Sequence, residues 1–443
     1  MKIRICGIEI VKWQNLSLNL LYDSVKSTFS FDLYWDPYDA DMRKVMMPGA
    51  YNQCTIVADN GQLLLTGVMH SPSFKDGPVA SLVNISGYSI TGVLDDSEYS
   101  AMCDAIGSGM QTNNTNFLQL CQNVCNIFGF GLVDNTGGKA VAIALSSSEP
   151  ANKDQSITGY LSDIAKDANI TLSHDVNGNL VLKIATNTKP VFDFVSGMPG
   201  VEYELSFDGQ EMHSFIIAHA QDGTGAGATV KNVYVAPQGS FNYKNAAINT
   251  GNILNAPLGQ LQVINEYSTG FRPHSVTQRD TDATKLQDVA NEALADELKN
   301  IPLTIKIARW ELNNRIPMPG DIITVQSAYL YLFSKARFFV QNIFFSGDEK
   351  ESTAILNCLL PECFNGEVPT QSIFFGTNYT NYAAPPELPD SPAPFDSAIQ
   401  GAPKLSPRFA PADAVPKETQ INVPSPGIDR NNHALQKNKK INL

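Results

Sequence analysis

Two widely separated stretches of this chain follow one pattern, and that repeat limits the folds open to the chain. Each begins with Met-Pro-Gly, at Met47–Gly49 and at Met318–Gly320. Each then runs through a short strand pattern, an apolar strand centred on Val68 or Ile343, a polar turn and a closing strand. The spacing from the proline to the strand centre is similar in the two stretches, slightly longer in the second. One β unit used twice, with loops of different length, explains this pattern.

The residues before the first closing strand alternate as half-buried strands do. Phe29, Phe31, Leu33 and Trp35 fall on one face of an extended segment, and three more short strand patterns follow before residue 90. Short strands at this spacing are typical of a small barrel or sandwich. We therefore expect a mainly β fold with an α+β insertion and two similar small β-barrels per chain.

The expected boundaries follow from changes in the hydrophobic period. The first barrel occupies residues 1–96 and is completed by strands near 186–215. The second barrel occupies residues 216–366 and contains a helix over 282–299, which Thr281 or Asp282 would cap.

Between these regions the apolar residues take the spacing of helices. From Thr115, which has the residue type of an N-cap, helical spacing continues to Gly129, and a second helix pattern begins at Ile157. The pair Asn177-Gly178 then separates two apolar runs, which indicates a hairpin. We therefore expect residues 97–185 to form an inserted α+β domain.

The composition changes again after Gly366. Twelve of the 26 prolines fall in residues 367–443, and this segment has too few apolar clusters to bury enough surface to fold alone. We expect an extended Pro-rich arm with a basic end. Four cations of that end are expected to bind an acidic partner: Arg430, Lys437, Lys439 and Lys440.

Charge, cysteines and histidines exclude several functions. The net charge of -13 argues against a phosphate-binding surface. Seven cysteines without a C-x-x-C pair argue against a disulfide framework or a zinc knuckle, and the six histidines show no ligand spacing such as H-E-x-x-H. We expect no metal and no cofactor. Without an apolar signal segment or a run long enough to span a membrane, we expect a chain made in a reducing compartment with no membrane insertion.

Three short motifs contain residue types used in catalysis. The segment Gly87–Gly92 misses the G-x-S-x-G nucleophile turn because its second glycine is one position late. Asp95 and Asp96, with Glu98 as a further partner, are the obvious pair for glycosidic cleavage, but adjacent side chains on an extended backbone point apart. Ser173–Asp175 fails as a triad for the same reason. We expect no catalytic residues and no enzyme activity.

The order of the motifs carries a resemblance to a known family. A strand ending at Gly87-Tyr88-Ser89 leads into Leu94–Ser97, and Ser156–Leu182 combines a helix, a strand and a hairpin turn. The longest match runs from Arg272 to Phe364 and includes Pro319-Gly320-Asp321. Together these segments resemble the baseplate hub proteins of contractile phage tails of the Mu type. More distantly, they are similar to the N-terminal hub region of type VI secretion spike proteins.

Two features depart from the family pattern. The family commonly has a Gly-Trp pair where this chain has Ala308-Arg309-Trp310, and the Pro-rich arm has no counterpart in it. The resemblance covers most of residues 25–364.

The resemblance implies a structural protein of the virion, located in the tail baseplate and assembled in the host cytoplasm. It would form a homotrimeric ring that joins the tail tube to the central spike, with DNA only as passing cargo. A trimer of chains with two barrels would present six similar units to a six-fold partner. Tape measure and wedge proteins are further partners that the resemblance allows. Two other functions stay open, a tail-associated cell-wall hydrolase and a peripheral tail adaptor or adhesin.

Overall fold

Most of the alternating segments become strands in the computed structural model of the chain. The structure describes residues 1–10, 12–76, 82–106, 116–145, 155–166, 168–186, 188–219, 260–264, 267–268, 272–277, 286–312, 314–348, 352–369 and 372–374. All of them belong to the compact unit Met1–Pro386. Three predicted features lie outside these described residues: the helix cap at Thr281 or Asp282, the cap residue Thr115 and the four cations of the arm.

The strands of the described residues are numbered in chain order as follows: β1 Lys2–Ile5, β2 Ile8–Ile10, β3 Trp13–Leu21, β4 Thr28–Tyr34, β5 Gln53–Val57, β6 Leu63–Lys75, β7 Leu82–Ser89, β8 Leu132–Asn135, β9 Thr171–His174, β10 Leu180–Lys183, β11 Phe192–Val195, β12 Val201–Leu205, β13 Phe215–His219, β14 Gln260–Ile264, β15 Pro273–Thr277, β16 Leu303–Ile307, β17 Ile322–Ser327, β18 Leu332–Gly347 and β19 Ser352–Leu359. The helices are α1 Ala40–Val45, α2 Tyr99–Ile106, α3 Phe117–Phe128, α4 Lys139–Ala142, α5 Ile157–Lys166, α6 Leu286–Leu298 and α7 Glu362–Asn365. Two short 3₁₀ turns span Ile90–Leu94 and Ala328–Leu330.

One curled sheet dominates the fold, which is mainly β with few helices. Eleven of its thirteen strands follow the order β12-β16-β19-β18-β3-β4-β7-β6-β5-β1-β2, and β17 pairs with both β18 and β11. Every pairing in this sheet is antiparallel except that of β11 with β17. One continuous apolar core lies against both the early and the late strands and includes Phe31, Leu18, Phe338 and Phe345.

The sequence repeat corresponds to a repeat of topology. Strands β3-β4-β7-β6-β5 form a first module, and β12-β16-β19-β18-β17 form a second module with the same order. Each module has a register shift in its long strand, between Met69 and Ser71 in β6 and between Val340 and Asn342 in β18. Met69 lies as far after the proline of its Met-Pro-Gly turn as Val340 lies after the proline of the second turn. Positions in β6 and β7 therefore correspond to positions in β18 and β19 at one constant offset along the chain.

The two Met-Pro-Gly segments also have one local structure. The amide of Ala50 donates to the carbonyl of Met47 at 3.2 Å, and the amide of Asp321 donates to that of Met318 at 3.1 Å. Gly49 and Gly320 have φ values of 78° and 96°. A proline followed by a glycine at positive φ is the sequence of a type II turn, so the repeated tripeptide encodes a repeated turn.

Residues 97–185 contain the predicted helices and hairpin and have a core of their own. Leu120, Val124, Leu161 and Leu180 are buried in a cluster separate from that of the main sheet. Helix α3 is capped by the side chain of Asn116, one position later than the predicted Thr115, and it ends at Gly129 in the left-handed conformation. Strands β9 and β10 pair antiparallel around the predicted Asn177-Gly178 turn, with β8 parallel to β10.

Strand partners differ from those expected in one region. The sequence predicts that strands near residues 186–215 complete the first barrel, but β11 pairs with β17 and β12 pairs with β16, both in the second module. Alternation of apolar residues shows that a segment is a strand and which face is buried, but many strands can pair with it. The two modules belong to one curled sheet, and the pairing of β3 with β18 joins them.

The start of the predicted arm also belongs to the folded unit. Val368, Ile373 and Phe374 pack against the main core, and the amide of Ile373 donates to the hydroxyl of Tyr267 at 3.3 Å. Folded structure therefore continues past the predicted boundary at 366, at least as far as Phe374.

Candidate assembly surface

The two equivalent turns differ in what covers them. The second turn packs against Tyr22, whose ring carbons lie 3.1 Å from the position that a Cβ atom would take on Gly320. Tyr22 is 5% exposed and follows β3, a strand of the first module. Gly49 has no atom within 4 Å of the same position. The first module therefore covers the second turn, whereas the first turn is bare.

Polar contacts fasten the covered turn. The Met318 amide donates to Oδ2 of Asp321 at 2.9 Å, and Arg315 lies 3.3 Å from Oδ1 of the same carboxylate. Burial raises the pKa of Asp321 despite these partners. The bare turn instead belongs to a segment with exposed large side chains, which runs from the end of β4 to the start of β5 and includes Tyr34, Tyr38, Met47 and Tyr51. Exposed apolar side chains in such a group indicate a contact surface for another protein.

The long strands differ in the same way as the turns. The last part of β18 pairs with β3, from Asn342 opposite Leu21 to Gly347 opposite Leu16. The corresponding part of β6, residues 71–75, has β7 on one side and no described strand on the other. Phe345 is completely buried, whereas Phe74, its equivalent in β6, is 42% exposed. An unpaired strand edge is a template for pairing with another chain.

Strand β12 also has one edge without a described partner. In the module repeat β12 corresponds to β3, because Leu205 faces Leu303 as Leu18 faces Phe29. Strand β3 has partners on both sides, but β12 pairs only with β16 among the described strands. The inward residues of β3 are buried, and their equivalents in and after β12 are partly exposed: Tyr203, Leu205 and Phe207.

The near-match to a nucleophile turn is a structural joint. Ser89 and Thr91 are buried, and both hydroxyls donate to the carbonyl of Val25, at 2.8 and 2.7 Å. Gly87 lies against Phe29 and the backbone of β6, where a Cβ atom would lie 2.2 Å from the carbonyl oxygen of Val68. A serine with a buried, engaged hydroxyl cannot reach a substrate, so this stretch joins the first module to the insertion.

Asp95 and Asp96 point the same way, contrary to the prediction. Nζ of Lys26 lies 2.6 Å from Asp96 and 3.6 Å from Asp95. The backbone at Asp95 is helical, at the end of a 3₁₀ turn, so the divergence of extended neighbours does not apply. Burial opposes the charge of Asp96, but Lys26 and the Tyr88 hydroxyl hold its pKa below the usual value. A glycosidase acid needs a raised pKa, so this arrangement does not favour glycosidic cleavage.

His174 also takes a structural position. Its Nε2 lies 2.6 Å from the Ser27 hydroxyl, and its Nδ1 lies 3.1 Å from the carbonyl of Asp175. Burial lowers the pKa of this imidazole. The hydroxyl of Ser173 instead accepts from Lys183, so Ser173–Asp175 is not a proton relay, as predicted.

One cluster brings together potential metal ligands that the spacing of the histidines along the sequence did not indicate. His213, His274 and Glu297 lie together, with all three potential ligand atoms within 4.8 Å of one another. Sequence spacing could not show this group, because its members are far apart along the chain.

Within the described ranges, no helix combines the length and hydropathy needed to cross a bilayer.

Comparison with known proteins gives the fold. No protein-family model and no curated protein sequence matches the chain. Its structure is similar to the 43 kDa tail protein of prophage MuSo2 from Shewanella oneidensis, with a TM-score of 0.60 and 16% identity over 82% of this chain and 98% of that one. A tail protein from Neisseria meningitidis MC58 gives a TM-score of 0.58 and 16% identity, over 82% and 97%. At these identities the likeness shows the fold alone.

Proposed function

We propose that this chain is the structural baseplate hub of a phage tail, in which three copies close a ring between the tail tube and the central spike. The observation that carries the proposal is the difference between two equivalent edges. Strand β18 is covered by β3 of the same chain, whereas the equivalent part of β6 is bare among the described strands. The fold shared with two phage tail proteins supports a place in the tail.

The bare edges suggest how the ring closes. The contact of β3 with β18 joins the first module to the second within one chain. A contact of β12 with β6 of the next chain would join modules in the same way between copies. Such a head-to-tail contact closes into a ring when the rotation that relates neighbouring copies is a whole fraction of a full turn. Three copies then supply six modules, a layer that suits a six-fold tail tube.

The register of this strand addition follows from the repeat. Phe345 faces Leu18 within the chain, so Phe74 would face Leu205 of the next copy. One position further, Lys75 would face Glu204, which places opposite charges on directly opposed residues. Pro72 has no amide hydrogen and protects the middle of the edge from indiscriminate pairing, so the ladder would run over residues 73–76.

The charge of the chain suits a channel that DNA passes through. A net charge of -13 repels phosphate, and a lumen with that character would let DNA slide without sticking. The spike and tube proteins are the expected partners on the two faces of the ring, with tape measure and wedge proteins as neighbours. The work of such a hub is structural and needs no catalytic group.

For the arm we propose a role in attachment. Residues 375–443, which follow the last residue that the structure describes, would bind an acidic partner in the tail through Arg430, Lys437, Lys439 and Lys440. A chain ending at Phe374 should still form the ring but bind the spike or a neighbouring tail protein more weakly. Loss of the ring itself in this truncated chain would contradict the division of roles.

A charge swap tests the contact between copies. Lys75→Glu and Glu204→Lys each place like charges opposite one another, and the double variant restores the attraction. A cross-strand charge pair contributes about 0.2–1 kcal/mol, and the ring has three of them, so we expect each single variant to weaken trimer formation roughly tenfold or more. Native mass spectrometry over a concentration series measures this.

The exposed residue Lys139, which lies in the insertion and in neither edge, provides the matched control as Lys139→Glu. The control and the double variant should resemble the unmodified chain. An unmodified chain that stays monomeric at all concentrations would contradict the hub. A trimer that ignores both single variants would show that the copies meet through another surface.

A further inference from the structure

The cluster of two histidines and a glutamate lies where a small sheet meets a helix. His213 comes just before β13, His274 lies in β15, and Glu297 is in the last turn of α6. Strands β13 and β15 pair in parallel, with Ile216 opposite His274, which brings the two imidazoles to the same end of the sheet. Their ring centroids are 4.5 Å apart.

The three side chains converge on one point. Nδ1 of His213 lies 2.7 Å from Oε1 of Glu297, and Nδ1 of His274 lies 3.1 Å from the same oxygen. A tetrahedral zinc ion, with bonds of about 2.0–2.1 Å to nitrogen and oxygen, separates its ligand atoms by about 3.4 Å. The two observed separations from Oε1 are somewhat shorter than this value, so a bound zinc ion would move these side chains slightly apart.

The carboxylate is held in place before any ion binds. The backbone amide of His213 donates to Oε2 of Glu297 at 2.9 Å, which leaves Oε1 aimed at the imidazoles. The Glu297 side chain is only 7% exposed, and its neighbours Leu294 and Leu298 on α6 are buried. Its Oε1 lies next to both imidazoles, and two imidazole nitrogens with a carboxylate oxygen are donor atoms that a divalent cation can use.

The open side of the cluster faces solvent. The His213 and His274 side chains are 24% and 39% exposed, so an ion can enter and a water molecule can complete its coordination. Two imidazoles and a carboxylate suit zinc, whereas magnesium and calcium prefer oxygen ligands alone. We propose that His213, His274 and Glu297 bind one zinc ion, which fastens the β13–β15 pair to helix α6.

This site is independent of the role in a ring. It does not involve β6 or β12, and it can be tested on the full chain in any oligomeric state. A metal that joins elements distant in sequence stabilises the folded state by its own binding free energy. We therefore expect zinc to raise the unfolding temperature.

Zinc titration of the EDTA-treated full chain tests the proposal, with isothermal calorimetry for affinity and elemental analysis for stoichiometry. We expect one zinc ion per chain and a higher unfolding temperature with zinc than with EDTA. Glu297→Gln and His274→Gln should each lose more than the roughly 10- to 100-fold in affinity that follows the change of a residue that only supports a ligand. The exposed His70, changed to Gln, should keep both zinc and the temperature increment.

Two controls keep the outcome decisive. The cysteines are free thiols that can bind zinc weakly, so only the zinc lost in the Glu297 and His274 variants counts. Circular dichroism without zinc shows whether these variants fold. If folded variants bind as much zinc as the unmodified chain, or if the unmodified chain binds none, the cluster is only a set of hydrogen bonds and the proposal is wrong.

Discussion

The first and second modules share a strand order, a turn and a bulge, yet one is covered where the other is bare. Tyr22 packs on the turn at Gly320, and β3 pairs with the end of β18. Among the described residues, the turn at Gly49 and the end of β6 have neither contact. The local structure of each copy follows from its own sequence, but its exposure depends on what the rest of the chain places beside it. In the proposed ring, this bare surface of the first module is where the second module of another copy would bind.

The largest expected difference between the modules is in the loss of stability when Gly87 or its equivalent, Cys358, is changed to alanine. A Cβ atom on Gly87 would lie 2.2 Å from the Val68 carbonyl and 2.4 Å from the Phe29 ring, whereas the second module accommodates the buried side chain of Cys358 at the equivalent position. Overpacking costs typically about 1–3 kcal/mol and occasionally more, and a contact this short places Gly87→Ala at the upper end. Urea unfolding measures it.

Alanine at Cys358 should cost only about 1 kcal/mol, since it removes one buried atom. The neighbouring Ser86→Ala is the control within β7 and should stay close to the unmodified chain. Equal losses at Gly87 and Cys358 would mean that the two positions are not equivalent.

The two turn glycines give the second test. Alanine in the left-handed conformation costs roughly 1–2 kcal/mol at either Gly49 or Gly320. Only at Gly320 must the new methyl group also displace the Tyr22 ring, 3.1 Å away. We expect Gly320→Ala to be the more destabilising variant by about 1 kcal/mol in chemical unfolding. A larger loss at Gly49 would contradict the assignment of covered and bare turns.

A lysine next to Tyr22, the residue that covers the second turn, makes the stability of the fold depend on pH. Nζ of Lys183, from the insertion, lies 3.5 Å from the centre of the Tyr22 ring, and burial lowers the pKa of Lys183 to about 7. The unfolded chain keeps the lysine proton up to the ordinary lysine pKa of 10.5, so it binds more protons than the folded chain between these values. Stability should therefore rise with pH from about 7, by at most about 1.4 kcal/mol per pH unit.

Replacing the lysine by methionine isolates this effect. Lys183→Met should flatten the rise between pH 7 and 9, whereas methionine at the exposed Lys44 should leave the slope unchanged. Unfolding free energies from urea titrations at several pH values give the comparison. An unchanged slope in Lys183→Met would show that another group releases the proton.

Local features of the fold could be predicted where one segment determines its own shape. Helix α5 and the hairpin at Asn177-Gly178 depend on neighbouring residues, and the sequence patterns identify them. The predicted start of α3 is one position early, because Asn116 is as good a cap as Thr115 and only the geometry chooses between them.

Features that depend on contacts across the chain could not be predicted. The pairing of β11 and β12 with the second module is decided by the sheet as a whole. The cluster at Glu297 forms only when β13, β15 and α6 pack together, so the spacing of its three residues along the sequence does not predict it. The prediction that Asp95 and Asp96 diverge was wrong because the backbone there is helical rather than extended.

The proposed ring requires that the second module of another copy cover the bare edge of the first module. Electron microscopy of the purified chain at a concentration where it assembles tests this most directly. We expect a threefold ring of six similar modules, with β12 of each copy beside residues 73–76 of the next. A monomer, or a ring in which residues 71–75 of β6 face solvent, would contradict it.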